Sequence, residues 1–216
     1  MNFHIAIDCV ILAYEAPSQK LMVLVIKRDK EPFAGNWVLP GGFVKNTEPF
    51  QQTALRVLEK ETGLNNAFLQ QLHAYSLTDP SEENRIASVA YYSLVKLEDT
   101  APLNQSQQAR WVDLKNIPQL AFDHGQKVED AISRIKKEIQ HEPLVYHLLP
   151  EKFSLNNVQS FYESLFQKKL DNRNFRKQLK KHPYLEPLAE YEQDVSHRPA
   201  QLYRFNQEQY AIFHSL

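Results

Sequence analysis

The segment from Leu39 to Leu64 (LPGGFVKNTEPFQQTALRVLEKETGL) joins a Gly-Gly turn to a run with helical spacing. Gly41 and Gly42 carry no Cβ atom, so their backbone N–H groups can approach an anion closely. A helix that begins near Glu48 would add the N–H donors of its first turn. These features predict a cradle for a diphosphate group at this turn.

One face of the predicted helix carries few acidic side chains. At about 100° per residue, Val57, Lys60 and Glu61 share one face, and Glu59 falls on the opposite face. Of the three, Glu61 alone offers a carboxylate to a metal ion. Because Mg²⁺ is often held by one or two carboxylates together with substrate phosphates, Glu61 and Glu48 could hold one weakly bound ion. A two-metal hydrolytic site is not expected.

Lys60 has two interpretations. Its ammonium could stand near the position where a metal would bridge a diphosphate, and it would then attract the ligand without activating a water molecule. Opposite unit charges about 4 Å apart attract by about 1 to 4 kcal/mol, depending on the local dielectric. Alternatively, Lys60 is a solvated side chain at an inactive site. The spacing does not decide between these interpretations.

The spacing of this segment resembles the Nudix box, G-x5-E-x7-R-E-U-x-E-E-x-G-U, in which U is apolar. The matching residues are Gly42, Glu48, Arg56, Glu61, Gly63 and Leu64. The upstream run IKRDKEPFAGNWVLPGG is also similar to the lead-in of Nudix proteins related to ADP-ribose pyrophosphatases. In the family three glutamates of the box helix hold metal ions, and those positions are Val57, Lys60 and Glu61 here. The resemblance, with two of the three carboxylates lost, implies a site that holds a diphosphate and mostly does not cut it.

Four further side chains are candidates near the turn. The resemblance suggests that Arg56 pairs with a glutamate of the box rather than touching a ligand. Arg28 and Arg85 could each offer a guanidinium fork to a diphosphate, or they could be surface charges. Trp37 could stack on a base or cover the core. The predicted effector-binding residues are Arg28, Trp37, Gly41, Gly42, Lys60 and Arg85.

The 216 residues divide into two predicted domains, 1–142 and 143–216. The first part carries 15 Lys and Arg against 18 Asp and Glu, a net −3, and the second carries 10 against 8, a net +2. In the first part, strand-like runs (HIAIDCVILAY, LMVLVIKR, RIASVAYYSLVKL, ARWVDL) alternate with helices over PFQQTALRVLEKETG and VEDAISRIKKEIQ. This order predicts a mixed sheet with helices packed over it, which the resemblance identifies as an α+β Nudix fold.

After Pro143 the pattern changes to two helices joined by a short turn and followed by two strands. SLNNVQSFYESLFQ begins at a predicted N-cap, Ser154, and DNRNFRKQLKKH begins at Asp171 and is stopped by Pro183. EYEQDVSHRP and AQLYRFN predict a hairpin. This outline is that of a winged helix-turn-helix.

The second of these helices carries basic residues on one side. Phe175 and Leu179 define its inner face, and the segment from Gln167 to Leu185 holds seven Lys and Arg against one Asp. A lone basic face is usually just solvated, but on the second helix of a helix-turn-helix it suits phosphate and major-groove contacts. The predicted DNA-binding residues are Arg173, Asn174, Arg176, Lys177, Lys180, Lys181, Arg198 and Arg204.

The C-terminal segments FSLNNVQSFYESLFQKKLDNRNFRKQL and RPAQLYRFN resemble the DNA-binding domain of the Nudix-related transcriptional regulators of NAD metabolism, the NrtR family. The resemblance implies a homodimeric repressor that binds a palindromic operator in double-stranded DNA. It further implies ADP-ribose or a related NAD derivative as effector. No cofactor is required, beyond a weak Mg²⁺ ion that could accompany the ligand. The alternatives are a sugar-use regulator of the same architecture, an active Nudix ADP-ribose pyrophosphatase, and a bifunctional sensor that slowly destroys its ligand.

The remaining composition is ordinary for a soluble globular protein, with 43% hydrophobic and 24% charged residues. The single cysteine, Cys9, excludes an intramolecular disulfide and is predicted to be a small buried apolar residue. The N-terminal residues lack a basic region followed by an apolar core, and the longest apolar run, Leu21 to Ile26, is too short to cross a bilayer. These features predict a cytoplasmic protein with no membrane partner.

Overall fold

The computed structural model describes residues 2–65, 67–77, 84–101, 103, 109–139, 142–193 and 198–214, of which residues 2, 3, 77, 84, 85 and 212–214 are described through their backbone alone. The strands are β1 (Asn2–Glu15), β2 (Lys20–Lys27), β3 (Trp37–Val38), β4 (Gly41–Phe43), β5 (Phe68–Leu77), β6 (Asn84–Lys96), β7 (Arg110–Asp113), β8 (Phe153–Ser154), β9 (Leu185–Tyr191) and β10 (Gln201–Phe205). The helices are α1 (Phe50–Thr62), α2 (His124–Glu138), α3 (Leu155–Phe166), α4 (Asn172–Leu179) and α5 (Gln207–His214).

In the described part of the chain, β1 to β7 form one mixed sheet. The order is β3-β2-β1-β6-β5, with β4 also beside β1 and β7 also beside β2. β1 runs parallel to β6 along its length, and its other partners are antiparallel. On its second edge β1 changes partner, because β4 pairs with its first half and β2 with its second half. The Gly-Gly turn therefore enters the sheet beside the point where the pairing of β1 with β2 ends.

Helices cover both faces of this sheet, because β1 is apolar on both sides. One face packs against α1, through Ile7, Cys9, Ile11 and Ala13 of β1 and Ala54, Val57 and Leu58 of the helix. The opposite face packs against α2, through Val10, Leu12 and Tyr14 of β1 and Val128, Ala131 and Ile135 of the helix. Cys9 is fully buried, as predicted. The predicted α+β arrangement of a mixed sheet with flanking helices is confirmed.

The first helix begins slightly later than its sequence pattern predicts. α1 starts at Phe50, so Pro49 lies just before the helix rather than in its first turn. At the other end Gly63 adopts a φ of 76° and donates its N–H to the Glu59 carbonyl at 2.8 Å. This is the left-handed position for which glycine is suited.

The C-terminal residues form the predicted winged helix-turn-helix. Ser154 caps α3 in a capping box with Asn157, and the Asp171 side chain accepts the N–H of Asn174 at the start of α4. Among the described residues, β8, which precedes α3, and β9 and β10, which follow α4, form a three-stranded sheet of order β8-β10-β9. None of the helices described here has the length and apolar character that spanning a membrane requires.

Several element boundaries differ from those predicted. The first wing strand is β9, Leu185–Tyr191, which begins before the predicted segment EYEQDVSHRP and overlaps only its start; residues 194–197 of that segment lie outside the described residues. Pro187 argues against a strand in the sequence, but a proline is tolerated here because β9 lies at the edge of its sheet. α2 begins at His124 rather than near Val128. β5 was not predicted, since a register shift between Gln71 and Ala74 breaks its alternation.

The junction between the two predicted domains is packed rather than exposed. Leu144, Val145, Leu148 and Leu149 are buried, and they share one apolar cluster with residues of β1, α2 and α3. The Phe68 ring of β5 lies 4.7 Å from the His147 ring. The sheet and the winged helix therefore share one apolar core.

Candidate functional site

The Gly-Gly turn lies directly against β1. Gly41 is opposite Asp8 and Gly42 is opposite Ile7 in the pairing of β4 with β1. A Cβ atom on Gly41 would lie 2.6 Å from Asp8 Oδ1 and 2.8 Å from the Ile7 carbonyl oxygen, which leaves no room for a side chain. A Cβ atom on Gly42 would make ordinary contact with Val57 of α1 at 3.5 Å. The turn thus sits between β1 and the first helix, where the sequence places it.

The face of α1 beneath the turn carries one buried carboxylate. Glu61 is 4% exposed, and its Oε1 lies 2.9 Å from the Lys60 ammonium. Its other oxygen, Oε2, is buried with no hydrogen-bond partner among the described residues. Val57 is 3% exposed and packs in the apolar cluster of this face. The counter-charge that a metal would supply to Glu61 is supplied here by a neighbouring lysine.

Arg56 pairs with Glu48. Its Nε donates to Oε1 at 2.8 Å and one terminal nitrogen donates to Oε2 at 2.7 Å, while Thr53 Oγ1 also donates to Oε2 at 2.8 Å. The hydrogen bond from Arg56 lowers the pKa of Glu48 to about 2. Both oxygens of Glu48 are therefore committed to structural contacts, and Glu48 is not a free ligand beside Glu61. In the described ranges, no group of three or more His, Cys, Asp or Glu side chains converges as a metal site, and this donor set does not fit a metal pair.

The other predicted effector residues have mixed surroundings. Arg28 braces its own loop, since its Nε donates to the Pro32 carbonyl at 2.6 Å. Trp37 has the Arg110 guanidinium 3.9 Å and the Lys27 ammonium 5.4 Å from its ring centroid. Arg85 lies on β6, and its side chain falls outside the described residues. Arg28 and Trp37 therefore contact neighbouring protein groups, and their role towards an effector stays a prediction.

A buried polar cluster under the turn was missed in the sequence. Asp8 Oδ2 accepts from Lys127 Nζ at 2.7 Å and from the Ser88 hydroxyl. Lys127 is fully buried, and its ammonium also lies 2.7 Å from Asp123 Oδ1 and 3.1 Å from Ser88 Oγ. His124 Nε2 lies 3.6 Å from Asp8 Oδ1. The signal that could have revealed the cluster is Asp8 itself, a lone charge in the apolar run HIAIDCVILAY.

Two pKa shifts describe the protonation of this cluster. Burial alone would raise the pKa of Asp8, but the electrostatic interactions with His124 and Lys127 and the hydrogen bonds from Lys127 and Ser88 outweigh it and lower the pKa. Burial lowers the pKa of His124, which Asp8 offsets only in part. His124 Nδ1 accepts the backbone N–H of Leu39 at 2.9 Å, which fits a neutral ring with its proton on Nε2. The cluster therefore holds the turn residue Leu39 directly.

The helix-turn-helix displays a basic surface. Glu163 organises the turn between α3 and α4, because its carboxylate accepts from the Leu170 N–H at 3.0 Å and from the Lys169 ammonium. Phe175 and Leu179 face inward, as predicted. The predicted DNA-binding side chains that are exposed on or just after α4 are Arg173, Asn174, Lys177, Lys180 and Lys181.

The remaining predicted DNA-binding residues have protein partners or lie elsewhere. Arg176 is half-buried and donates to the Asn156 side chain of α3, so the structure does not bring it to the exposed stripe. Arg204 Nε donates to Glu186 at 2.7 Å across the wing. Arg198 is exposed near the wing tip. The exposed basic surface is therefore narrower than predicted and centred on α4.

Comparison with known proteins agrees with this geometry. The chain is 28% identical over 196 residues to the "ADPR responsive transcriptional repressor NtrR" of Acinetobacter baylyi, which covers 88% of this chain and 78% of that protein. It is 33% identical over 108 residues to the ADP-ribose pyrophosphatase of Methanocaldococcus jannaschii, covering 50% of this chain and 64% of the enzyme.

Solved structures of NrtR from Shewanella oneidensis are also similar. The crystal structure of that protein with a 27mer DNA matches with a TM-score of 0.80 and 28% identity, over 96% of this chain and 95% of the other. The structure of its NUDIX domain with ADP ribose matches with a TM-score of 0.53 and 29% identity, over 62% of this chain and 90% of the other.

Family models match both parts of the chain. The NrtR DNA-binding winged helix domain matches residues 145–205, where the basic helix lies. The NUDIX domain matches residues 2–132, which include the Gly-Gly turn, α1 and the buried cluster. The chain therefore belongs to the Nudix family and carries a winged helix domain of the NrtR type.

Proposed function

We propose that this protein is an ADP-ribose-responsive transcriptional repressor that binds its effector in residues 1–142 and DNA through residues 143–216. The observation that carries the proposal is the joining, through one buried core, of a Nudix fold to a helix-turn-helix whose second helix exposes a basic surface. The similarity to the Acinetobacter baylyi repressor along most of the chain supports it.

The effector is held rather than cut. Glu61 is paired with Lys60, Glu48 is paired with Arg56, and Val57 is apolar, so the ligands for two metal ions are missing from the box helix. The proposed effector-binding residues are Arg28, Trp37, Gly41, Gly42, Lys60 and Arg85. Lys60 then contributes attraction to a diphosphate, and any Mg²⁺ carried by the ligand binds weakly through Glu61.

The test of this role for Lys60 is its replacement by alanine. Lys60→Ala removes a cation whose side chain is 54% exposed, and we expect ADP-ribose to bind about 5- to 10-fold more weakly, consistent with a screened charge pair. Isothermal titration calorimetry measures the change, with Lys137→Ala on α2 as a control that leaves the site intact. An unchanged affinity for ADP-ribose would show that Lys60 is only a solvated side chain.

DNA is bound by the exposed residues of α4 and by the wing. Arg173, Asn174, Lys177, Lys180 and Lys181 reach the groove and its phosphates, with Arg198 nearby at the wing. We further propose a homodimer on a palindromic operator, in the cytoplasm, that controls genes for NAD synthesis or salvage. Arg176 and Arg204 mainly support the domain, because each already has a protein partner.

The proposal is tested with a fluorescein-labelled duplex from upstream of the protein's own gene. Anisotropy should report binding whose log-log salt slope is about 0.9 for each phosphate neutralised, and ADP-ribose should change the affinity. The absence of binding to this duplex and to duplexes from upstream of NAD-synthesis genes, with and without ADP-ribose, would overturn the proposal.

A second candidate function is hydrolysis of ADP-ribose, which the 33% identity to the Methanocaldococcus jannaschii enzyme favours. The enzyme would release AMP from ADP-ribose with Mg²⁺ at a rate proportional to protein concentration, whether or not DNA is present. Chromatographic measurement of AMP distinguishes the two functions.

A further inference from the structure

We propose that the buried Asp8–Lys127–His124 cluster positions the Gly-Gly turn and couples effector binding to the winged helix through α2. This inference rests on the proposed function, since it concerns how the effector site of that function controls DNA binding. None of the three residues belongs to the Nudix box spacing.

The Gly-Gly turn is held against the cluster and β1 by short contacts. The His124 ring accepts the Leu39 N–H at 2.9 Å, and the Pro40 carbonyl accepts the Cys9 N–H at 2.8 Å. Gly41 lies against Asp8 so closely that a Cβ atom would come within 2.6 Å of its carboxylate. A ligand that shifts this turn must therefore shift Asp8 or His124 as well.

The cluster joins the turn to the first two turns of α2. His124 begins that helix, and Lys127 reaches from it to Asp8 on β1 at 2.7 Å. Lys127 is fully buried, and Asp123 and the Tyr75 ring complete its surroundings at 2.7 Å and 5.0 Å. Because a buried ammonium without its partners is strongly disfavoured, Lys127 and Asp8 move together or not at all.

At its other end, α2 contacts the winged helix. Ala131, Ile135 and Ile139 are buried on the face of α2 that points away from the solvent. They share one apolar cluster with Val158, Phe161 and Leu165 of α3, and α2 contacts α3 directly. Close-packed helices transmit a displacement rather than absorbing it. A displacement of His124 would therefore displace α3, the helix that packs against α4.

The coupling is measured as the ratio of the Kd for the duplex with ADP-ribose to the Kd without it. For the wild-type chain, the Kd for the fluorescein-labelled duplex is measured by anisotropy with and without saturating ADP-ribose, and coupling of this kind typically changes it about 5- to 150-fold. By reciprocity, the duplex should change the Kd for ADP-ribose by the same factor. A role that is merely structural would alter both affinities without abolishing this ratio.

The decisive variant is the double substitution Asp8→Asn with Lys127→Met. It removes both charges of the Asp8–Lys127 pair together. Asp123 also loses the Lys127 ammonium, but its side chain is 24% exposed and can be solvated, so we expect the fold to be retained. We expect the chain to bind the duplex with a Kd near the wild-type value and to bind ADP-ribose more weakly, because the Gly-Gly turn is less firmly held. At saturating ADP-ribose, the ratio of the two Kd values for the duplex should fall below about twofold. Lys137→Met, on the exposed side of α2, is the matched control and should keep the wild-type ratio.

A second pair of variants covers the case in which the double variant does not fold. His124→Phe removes the acceptor of the Leu39 N–H and leaves the Asp8–Lys127 pair in place, so the ratio should fall as well. His124→Asn offers an amide oxygen near the position of Nδ1 and should restore part of it.

The outcomes separate the inference from the proposed function. A folded double variant, or a folded His124→Phe, that keeps the wild-type ratio overturns the coupling role of the cluster. If the wild-type chain binds the duplex but ADP-ribose leaves its Kd unchanged, or if it binds neither this duplex nor those from upstream of NAD-synthesis genes, the proposed function itself fails and the coupling role fails with it.

Discussion

Gly41 is required at the residue scale by the crowding between β4 and β1. A methyl group there would meet the Asp8 carboxylate at 2.6 Å and the Ile7 backbone at 2.8 Å, whereas at Gly125 of α2 it would meet nothing within 4 Å. We expect Gly41→Ala to lower the free energy of unfolding by about 1 to 3 kcal/mol, as overpacking does. Gly125→Ala should leave it unchanged or raise it by up to about 1 kcal/mol. Urea denaturation measures both, and equal stabilities would show that β4 yields easily.

The pairing of Glu48 with Arg56 should make the free energy of unfolding depend on pH. Its pKa is lowered from 4.5 to about 2 by the hydrogen bond from Arg56, so its contribution to stability is complete above pH 4.5 and is lost as the pH falls towards about 2. Wild-type protein should therefore lose more stability than Glu48→Gln between pH 6 and about pH 3. Urea midpoints along a pH series measure the difference between the two proteins. A difference that stays constant with pH would mean that the Arg56 contact does not persist in solution.

Some residue roles could be predicted from the sequence and others could not. The pairing of Arg56 with a box glutamate was predicted from the resemblance to the Nudix box, and Glu48 is the partner. The partners of Lys127 could not be predicted, because Asp8 and Ser88 lie 119 and 39 positions away and meet it only through the sheet. The contact of Arg176 with Asn156 on α3 could not be predicted either, since its neighbours on α4 are exposed.

At the scale of the element, α4 is the part of the molecule that should bind phosphates. Arg173→Ala and Lys177→Ala each remove an exposed charge, and each should weaken DNA binding and lower the log-log salt slope by about 0.9. Arg204→Ala is the matched control, because this side chain is 56% exposed but already paired with Glu186. Anisotropy titrations at several salt concentrations measure the slopes. If Arg204→Ala lowered the slope as much as Arg173→Ala, the wing rather than α4 would dominate.

Elements with a local sequence signal, such as a helix cap, could be predicted, and an element that forms only through long-range pairing could not. α3 and α4 begin at the residues that their caps predict, Ser154 and Asp171, because capping is decided within four residues. β4 was missed because Gly41 and Gly42 have low strand propensity, and it exists only through its pairing with β1. The glycines that led to the prediction of an anion cradle thus concealed the strand in which they lie.

At the scale of the whole molecule, the sheet and the winged helix share one apolar cluster. Leu144 and Leu148 at the junction are 2% and 1% exposed, and they belong to the apolar cluster that includes residues of both parts. We expect a single cooperative unfolding transition, with calorimetric and van't Hoff enthalpies that agree. Differential scanning calorimetry measures this. Two separate transitions would show that the parts unfold independently, and would weaken the case for coupling through α2.

The division into two functional parts was predictable from the change of pattern after Pro143, but the shared core was not. Periodicity shows which face of an element is apolar, and it does not show which distant face covers it. The parallel pairing of β1 with β6 joins residues about 80 positions apart and has no local signature.

The central claim is that the chain holds ADP-ribose without destroying it and thereby controls DNA binding. The most direct test follows the anisotropy of the labelled duplex over hours after ADP-ribose and Mg²⁺ are added, while AMP is measured in the same sample. A lasting change in DNA binding with no accumulation of AMP is the predicted result. A change that decays as AMP appears, or no change at all, would contradict the account.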